Sequence, residues 1–334
     1  MDPNTIRLLN LGPTAAWRTQ AVYHATAEMM TADSPDTIII CQPLTPYLCL
    51  GYHQVYDAVL DRAECERRDL PVMRRRVGGG ATYLDVNQLF YQCIFHHSRA
   101  PMATKDIYAL MLAGPVATLR RLGLNAELRA VNEIEVEGKR IAGIGGGRIG
   151  EAAVVVGNLL FDFGYRAMSQ VWRVPNEAFR DLAAAALRER ITTIWRETEP
   201  VTADAVIWML LAEFAQALGR PIERGILTQA ETRRSHIVAE RMMSAEYLDL
   251  HRDLFSDNGR IFPMTSLKIS ASVYIKWAEV EWDGRRVQAS FRVREGIIEE
   301  ARLQSESAHD WREIEVSLRG VAFKDWELAL DNGA

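Results

Sequence analysis

The chain has 334 residues, of which 48% are hydrophobic and 25% charged, and a formal net charge of −5. That length suits about two domains of roughly 150 residues each with ample core, and the acidic balance excludes a general nucleic-acid binder, which would carry excess cations. The four cysteines, Cys41, Cys49, Cys65 and Cys93, have neither CxxC spacing nor a histidine at zinc-ligand distance, so buried thiols in a reducing compartment are expected and no metal-ligand set. No apolar run approaches the ~18 residues needed to cross a bilayer. The start, MDPNTIRLLNLGP, lacks a basic n-region and a long apolar core. A cytoplasmic protein without membrane or nucleic-acid partners is the expectation.

The first part of the chain alternates short strands and helices. Thr14 to Met30 has helical spacing, Thr37 to Pro43 holds the β-branched run TIIIC, and Tyr47 to Gly51 is a short apolar stretch closed by glycine. Asp61 to Arg68 predicts a short helix and LPVMRR a strand. The next run, Arg74 to Asp85 (RRRVGGGATYLD), sets three adjacent cations beside three adjacent glycines. Glycine permits positive φ and leaves N–H groups unshielded by Cβ, while arginine adds a fixed fork of donors that stays charged. The run suits an anion cradle or a tight loop with a solvated basic flank, and alone it does not choose between them. Gln88 to Phe95 (QLFYQCIF) leaves it as a buried strand.

Lys105 to Leu122 has helical spacing stopped by Gly123, and Asn125 to Leu128 resumes a strand. Ile134 to Val136, the turn Glu137-Gly138-Lys139 and Arg140 to Ile144 form a hairpin signal that places the turn's cations at one rim. Ala152 to Phe163 is apolar almost throughout, as a strand covered on both faces would be. The His96-His97 pair lies on a strand, where neighbours face opposite ways, so it predicts no shared ligand role.

Composition shifts after about residue 165. Pro175 to Arg190 and Ala203 to Leu218 are amphipathic helices, and the second is broken by Gly219-Arg220-Pro221. Thr228 to Gly259 is polar, charged and helical in tendency. From Leu267 the pattern alternates as strands, with Asp283-Gly284 and Glu295-Gly296 as hairpin turns, and Asp310 to Arg319 predicts a helix. The expected organisation is a domain over 1–200, a linker over 201–225 and a smaller domain over 226–334.

Four motifs occur in order: CLGYHQ (Cys49 to Gln54), RRRVGGGATYLD, VNEIEVEGKRIAGIGGG (Val131 to Gly147) and VVVGNLLFDF (Val154 to Phe163). In this order they resemble the lipoate-protein ligase, octanoyltransferase and biotin-protein ligase superfamily, over roughly residues 5 to 195. The stretch WAEVEWDGRRVQASFRVREGIIEEARL resembles the hairpin of the small accessory domain of lipoate-protein ligase A. The resemblance implies an α+β fold, with a class II biotin/lipoate ligase-like catalytic domain of mixed sheet and flanking helices, plus a small α/β C-terminal accessory domain. It further implies an ATP-dependent ligase that uses Mg²⁺, activates lipoate or octanoate to the acyl-adenylate, and transfers the acyl group to a lysine of a lipoyl carrier domain.

Carried residue by residue, the resemblance assigns phosphate and adenylate binding to Arg74, Arg75, Gly78, Gly79, Gly80 and Ala81, with Tyr83 and Asp85 in the same loop. Asn132 would bind phosphate or order the surroundings of the metal. His53 would shape the acyl pocket, and Ala142, Gly143 and Gly157 are further cofactor-binding candidates. Relatives place lysine directly before the apolar pair of K-I/V/L-A/S-G. Here Arg140 fills that slot and Lys139 precedes it, so both are candidate catalytic cations for an oxyanion and departing AMP. Neighbours on a strand face opposite ways, so only one is expected to reach the site unless a bulge intervenes.

Other departures are Val77 where ligases often have serine and Val156 where they have histidine. Thr82-Tyr83 and Gln88-Leu89 resemble octanoyltransferases, which take an acyl carrier thioester, need no ATP and commonly use a cysteine nucleophile. No cysteine lies near the hairpin, and Cys93 reads as core. A lipoate-binding or carrier-binding homologue without catalysis is the third reading.

Overall fold

A computed structural model describes residues 4–255 and 261–332. The chain divides into two units. The first is built from residues up to Tyr56, Cys65–Gly164 and Ile191–Arg252, and the second from Asp57–Glu64, Tyr165–Arg190 and the residues from Asp253 onward.

Strands of the first unit, in chain order, are β1 (Ile6–Thr14), β2 (Thr37–Pro43), β3 (Tyr47–Leu50), β4 (Val72–Arg74), β5 (Thr82–Leu84), β6 (Gln88–His96), β7 (Ala126–Arg129), β8 (Glu133–Val136), β9 (Lys139–Arg140), β10 (Ala142–Ile149), β11 (Ala152–Leu160) and β12 (Ile222–Arg224). The main sheet runs β10-β11-β6-β2-β1-β12, and two three-stranded sheets, β4-β3-β5 and β7-β8-β9, stand beside it. Pairing is mixed: β1 is parallel to β2 and β12, whereas β2, β6, β11 and β10 pair antiparallel. This is the mixed α+β architecture expected from the motifs.

Alternation along the strands gives the sheet two different faces. Ile38, Ile40, Leu89, Tyr91, Ala142 and Val155 enter one core with the helices Thr104–Arg121 and Ala203–Leu218. Leu9, Ile39, Ile94 and Val154 enter another, under the helix Ala16–Glu28, and Val77 of the glycine loop joins them. The loop is therefore anchored on the second face.

The boundary expected at 201–225 lies elsewhere in the structure. Thr202 caps the helix Ala203–Leu218, Gly219 ends it at φ +61°, and its Phe214 packs so close to the Thr104–Arg121 helix that a Cβ on Gly114 would lie 2.7 Å from the ring. After the break β12 pairs with β1, and the helix Gln229–Met243 packs on Ala16–Glu28. The proposed linker and the first part of the proposed 226–334 domain thus belong to the first unit. The last residues of the expected 228–259 helical segment, 256–259, fall outside the described residues.

The second unit carries the accessory sheet β13 (Ser266–Lys268), β14 (Val273–Trp282), β15 (Arg285–Arg294) and β16 (Ile297–Ser305), antiparallel throughout. Both hairpins turn where expected, with positive φ at Asp283, Gly284, Glu295 and Gly296. Its core gathers Phe291, Val293, Trp311 and Trp326. The helix Glu177–Arg190, expected within the first domain, packs on β14 and β15 instead.

Candidate active site

The glycine loop is organised by its arginines from inside. Arg74 is fully buried, and its guanidinium donates to the carbonyls of Gly51 (3.1 Å), Tyr52 (2.9 Å), Gln54 (2.5 Å), Tyr247 (2.7 Å) and Leu248 (2.6 Å). Arg75, also buried, donates to Cys49 (2.9 Å), Gly78 (2.9 Å) and Gly80 (2.8 Å) carbonyls. The expectation that these two side chains grip phosphate is corrected by this geometry: their donors are occupied by main-chain oxygens, and both act as internal ties of the loop.

Those ties turn the loop's amides outward. In a trans peptide the carbonyl of one residue and the N–H of the next point opposite ways, and no cis peptide occurs among the described residues. With the Gly78 and Gly80 carbonyls drawn onto Arg75, the N–H groups of Gly79 and Ala81 face away from it. The Gly79 carbonyl is turned inward too, 1.9 Å from where a Cβ on Gly51 would sit, so the Gly80 N–H joins the row. Among the described residues none of these three N–H groups donates to a protein acceptor. Gly79, at φ +98°, supplies the left-handed step that a run of convergent amides requires.

The loop lies over β10. A Cβ on Gly145 would stand 3.3 Å from the Gly78 carbonyl oxygen, 3.7 Å from Val77 Cγ2 and 3.9 Å from Val156 Cγ2. Val77 and Val156, the two apolar departures from the expected pattern, therefore both border the Gly145 position and make that spot apolar. Gly143 is held by a polar chain: its N–H donates to Asn158 Oδ1 (2.9 Å), Asn158 Nδ2 donates to Gln88 Oε1, and Gln88 Nε2 donates to the Tyr83 carbonyl (3.0 Å). Gln88 and Asn158 are buried, so this chain ties β10 across β11 and β6 to the exit of the glycine loop. Neither was singled out from the sequence as a site residue. An asparagine within the apolar run VVVGNLLF was the available signal, because a buried amide needs partners.

The hairpin separates its two cations. Glu135 pairs with Arg140 and Val136 with Lys139, and directly opposed residues share a face. Val136, Ile134 and Ile141 are core, so Arg140 lies on the other face with Glu133 and Glu135. Ile141 and Ala142 both enter that core, a kink after which Gly143 and Gly145 return to the side of Arg140 and the loop. Arg140 Nε donates to the Ala142 carbonyl (3.0 Å). Burial lowers the guanidinium's pKa, and Glu133 and Glu135 oppose that shift, leaving a charged group. Lys139 is on the core-side edge, half-exposed, with Nζ 4.0 Å from Glu197.

Other predicted residues fall less centrally. Asp85 Oδ1 accepts the Asn87 N–H (3.0 Å), a local cap, and burial raises its pKa. Tyr83 lies on β5, its hydroxyl pKa also raised by burial. Asn132 occupies the turn before β8. His53 is exposed, its ring 6.1 Å from His251, so it does not line a buried pocket. Ala142 is core, and a Cβ on Gly157 would strike Tyr91 at 2.3 Å, so Gly157 serves packing on the face away from the loop. Cys41, Cys49, Cys65 and Cys93 are buried free thiols; burial pushes the pKa of Cys41, Cys49 and Cys93 upward. Among the described residues no group of three or more acidic, histidine or cysteine side chains could hold a metal ion, and no helix is long and apolar enough to cross a membrane.

His24 is buried and fixes the start of the loop to the helix Ala16–Glu28. Its Nε2 accepts the Arg76 N–H (2.9 Å), which leaves Nδ1–H to donate to the Gln20 carbonyl (2.7 Å). Burial lowers its pKa to about 3, so it is held neutral.

Residues 13–215 match the Lipoyl protein ligase A/B catalytic domain. The chain belongs to that family. It is 26% identical over 207 residues to lipoate-protein ligase A subunit 1 of Thermoplasma acidophilum, covering 59% of this chain and 78% of that protein. It is 29% identical over 274 residues to octanoyltransferase LipM of Kyrpidia tusciae, covering 73% and 96%. Among solved structures, an archaeal bi-partite lipoate protein ligase from Thermoplasma acidophilum, described with its E2 lipoyl domain, superposes with a TM-score of 0.68 at 24% identity, over 74% of this chain and 97% of that one. A lipoate-protein ligase A bound with ATP gives 0.63 at 22% identity, over 74% and 99%. These likenesses establish the fold, and relatives of both reaction types stand beside the sequence.

Proposed function

We propose that the chain is a cytoplasmic, ATP-dependent lipoate-protein ligase. A carboxylate is a poor acyl donor. In the first step an oxygen of lipoate or octanoate attacks the α-phosphorus of ATP and pyrophosphate leaves; in the second, the amine of a carrier-domain lysine attacks the acyl carbon, loses a proton and expels AMP. The observation that carries this reading is the row of outward N–H groups at Gly79, Gly80 and Ala81, held by Arg75. Fixed main-chain dipoles of this kind stabilise a phosphate whose charge grows in the transition state, without reorganisation.

Arg140 is the cation for the acyl carbonyl and departing AMP, a task that needs charge and no proton transfer. Mg²⁺ would arrive on the nucleotide's phosphates, since that ion keeps most of its waters and takes few protein ligands. Two structurally similar proteins, a lipoate-protein ligase A bound with ATP and a lipoate protein ligase from Thermoplasma acidophilum with bound lipoic acid, support these ligands for the fold.

The second reading is an octanoyltransferase, favoured by the 29% identity to an octanoyltransferase over most of both chains. It requires a reactive thiol, and the four cysteines are buried, with the pKa raised at Cys41, Cys49 and Cys93. Incubation with lipoate, Mg²⁺ and ATP, followed by a carrier domain, distinguishes them: the ligase releases pyrophosphate and then adds the acyl mass to the carrier. Acyl transfer from an octanoyl carrier protein without ATP would replace the ligase reading, and neither activity would leave a binding homologue.

A further inference from the structure

We infer that the surface formed by Arg76, Arg234 and Arg241, beside the glycine loop, is the docking face for the acidic side of the acyl-accepting carrier domain. The partner's identity as a carrier rests on the ligase reading; the charge of the surface does not.

Glu28, on the helix Ala16–Glu28, is nearly buried and receives three guanidinium groups. Arg76 Nη1 lies 2.9 Å from one carboxylate oxygen, Arg234 Nη2 2.5 Å from the other, and Arg241 pairs with the first. Their hydrogen bonds overcome the effect of burial and hold the Glu28 pKa below its usual range. Three cations against one carboxylate leave a net of +2 at this point, on a chain whose total is −5. The arginines converge inward through one edge and remain 36%, 39% and 35% exposed through the other, whereas the Glu28 side chain is only 7% exposed.

What the solvent meets is therefore a pre-positioned set of guanidinium edges whose counter-charge is hidden. Exposed Arg233 neighbours Arg234 about a quarter-turn round the helix Gln229–Met243, and exposed Glu240 lies seven positions on along Arg233's line. The three come from a loop and from a helix and are each only partly exposed, which suits several carboxylates of a folded partner better than a single small anion. Arg76 directly precedes Val77 and Gly78, so a partner held here has its reach set by the loop that cradles the phosphate. Such complementarity chiefly accelerates encounter and is screened by salt.

The test is a titration of the full chain with an isolated lipoyl carrier domain of net negative charge, at about 50 and about 300 mM salt. Arg234→Gln with Arg241→Gln is compared with the parent, and the exposed Arg233→Glu serves as a second variant should the double variant fold poorly. The Kd should weaken about tenfold in either variant, the double variant should lose most of the salt dependence, and a carrier with its surface carboxylates changed to amides should bind parent and variants alike. An unchanged Kd, or no binding of the carrier by the parent, overturns the proposal. Pyrophosphate release from the same samples keeps the two readings separate. Charge-dependent binding without pyrophosphate removes the ligase reading and leaves the surface, and pyrophosphate with an unmoved Kd does the reverse.

Discussion

The glycine loop and the β8–β9 hairpin both carry cations, and they hold them in different ways. In the loop, Arg74 and Arg75 are turned inward onto main-chain carbonyls, so the groups left facing out are amides. In the hairpin, register puts Arg140 on the face opposite Ile134 and Val136, with Glu133 and Glu135, and leaves Lys139 at the edge beside Glu197. The loop arginines have their donors filled by several main-chain carbonyls, whereas the Arg140 guanidinium has one main-chain acceptor among the described residues, Ala142, and acidic neighbours; the number of acceptors, rather than burial or the presence of arginine, tells the two segments apart.

Arg75→Ala gives the largest expected change. Removing a buried guanidinium leaves the Cys49, Gly78 and Gly80 carbonyls without donors, a loss of about 3–5 kcal/mol in urea unfolding, with adenylate formation lost alongside. A stable variant defective only in nucleotide affinity would mean that Arg75 touches phosphate after all. Next is Arg140→Ala, expected to lower the transfer rate about a hundredfold with little change in Tm, while Lys139→Ala stays close to the parent in both; equal effects would erase the distinction drawn from register.

Smaller steric tests follow. Gly51→Ala drives a Cβ into the Gly79 carbonyl and Gly143→Ala drives one to 2.5 Å from Asn158 Oδ1, each costing about 1–3 kcal/mol by thermal unfolding, whereas Gly78 has open space at that position. Gly78→Ala should therefore be nearly neutral for stability.

The smallest effect per step is a pH dependence. His24 has a pKa of about 3 when folded and about 6.5 when unfolded, so the unfolded chain binds the extra proton between those values. Its contribution is complete above about pH 6.5 and is lost as pH falls, at up to about 1.4 kcal/mol per pH unit. Unfolding free energies from pH 7 to 5 should fall less steeply in His24→Gln; parallel slopes would remove His24 as the source.

Much of the fold was legible because strong periodicity marks buried strands: Thr37–Pro43, Gln88–His96 and Ala152–Leu160 lie within a residue or so of where β-branching and apolar runs place their starts. β1 was not, since IRLLNLGPT carries Gly12 and Pro13 and alternates poorly, and the domain boundary was not, since β12 is three residues long and joins the sheet only through tertiary pairing with β1. At the site, the glycines were readable from their spacing. The inward turn of Arg74 and Arg75 was not, because their acceptors include Tyr247 and Leu248, more than 170 positions away. Which of Lys139 and Arg140 shares a side with Gly143 and Gly145 depended on the kink at Ile141 and Ala142, which no local pattern signals.

The central claim is that outward amides and Arg140 make an acyl-adenylate site. Its most direct measurement is pyrophosphate release on mixing the purified chain with lipoate, Mg²⁺ and ATP, before any carrier is added. The account predicts a burst of pyrophosphate with an equivalent of bound lipoyl-AMP detected by mass. No pyrophosphate, together with acyl transfer from an octanoyl carrier protein thioester in the absence of ATP, would contradict it.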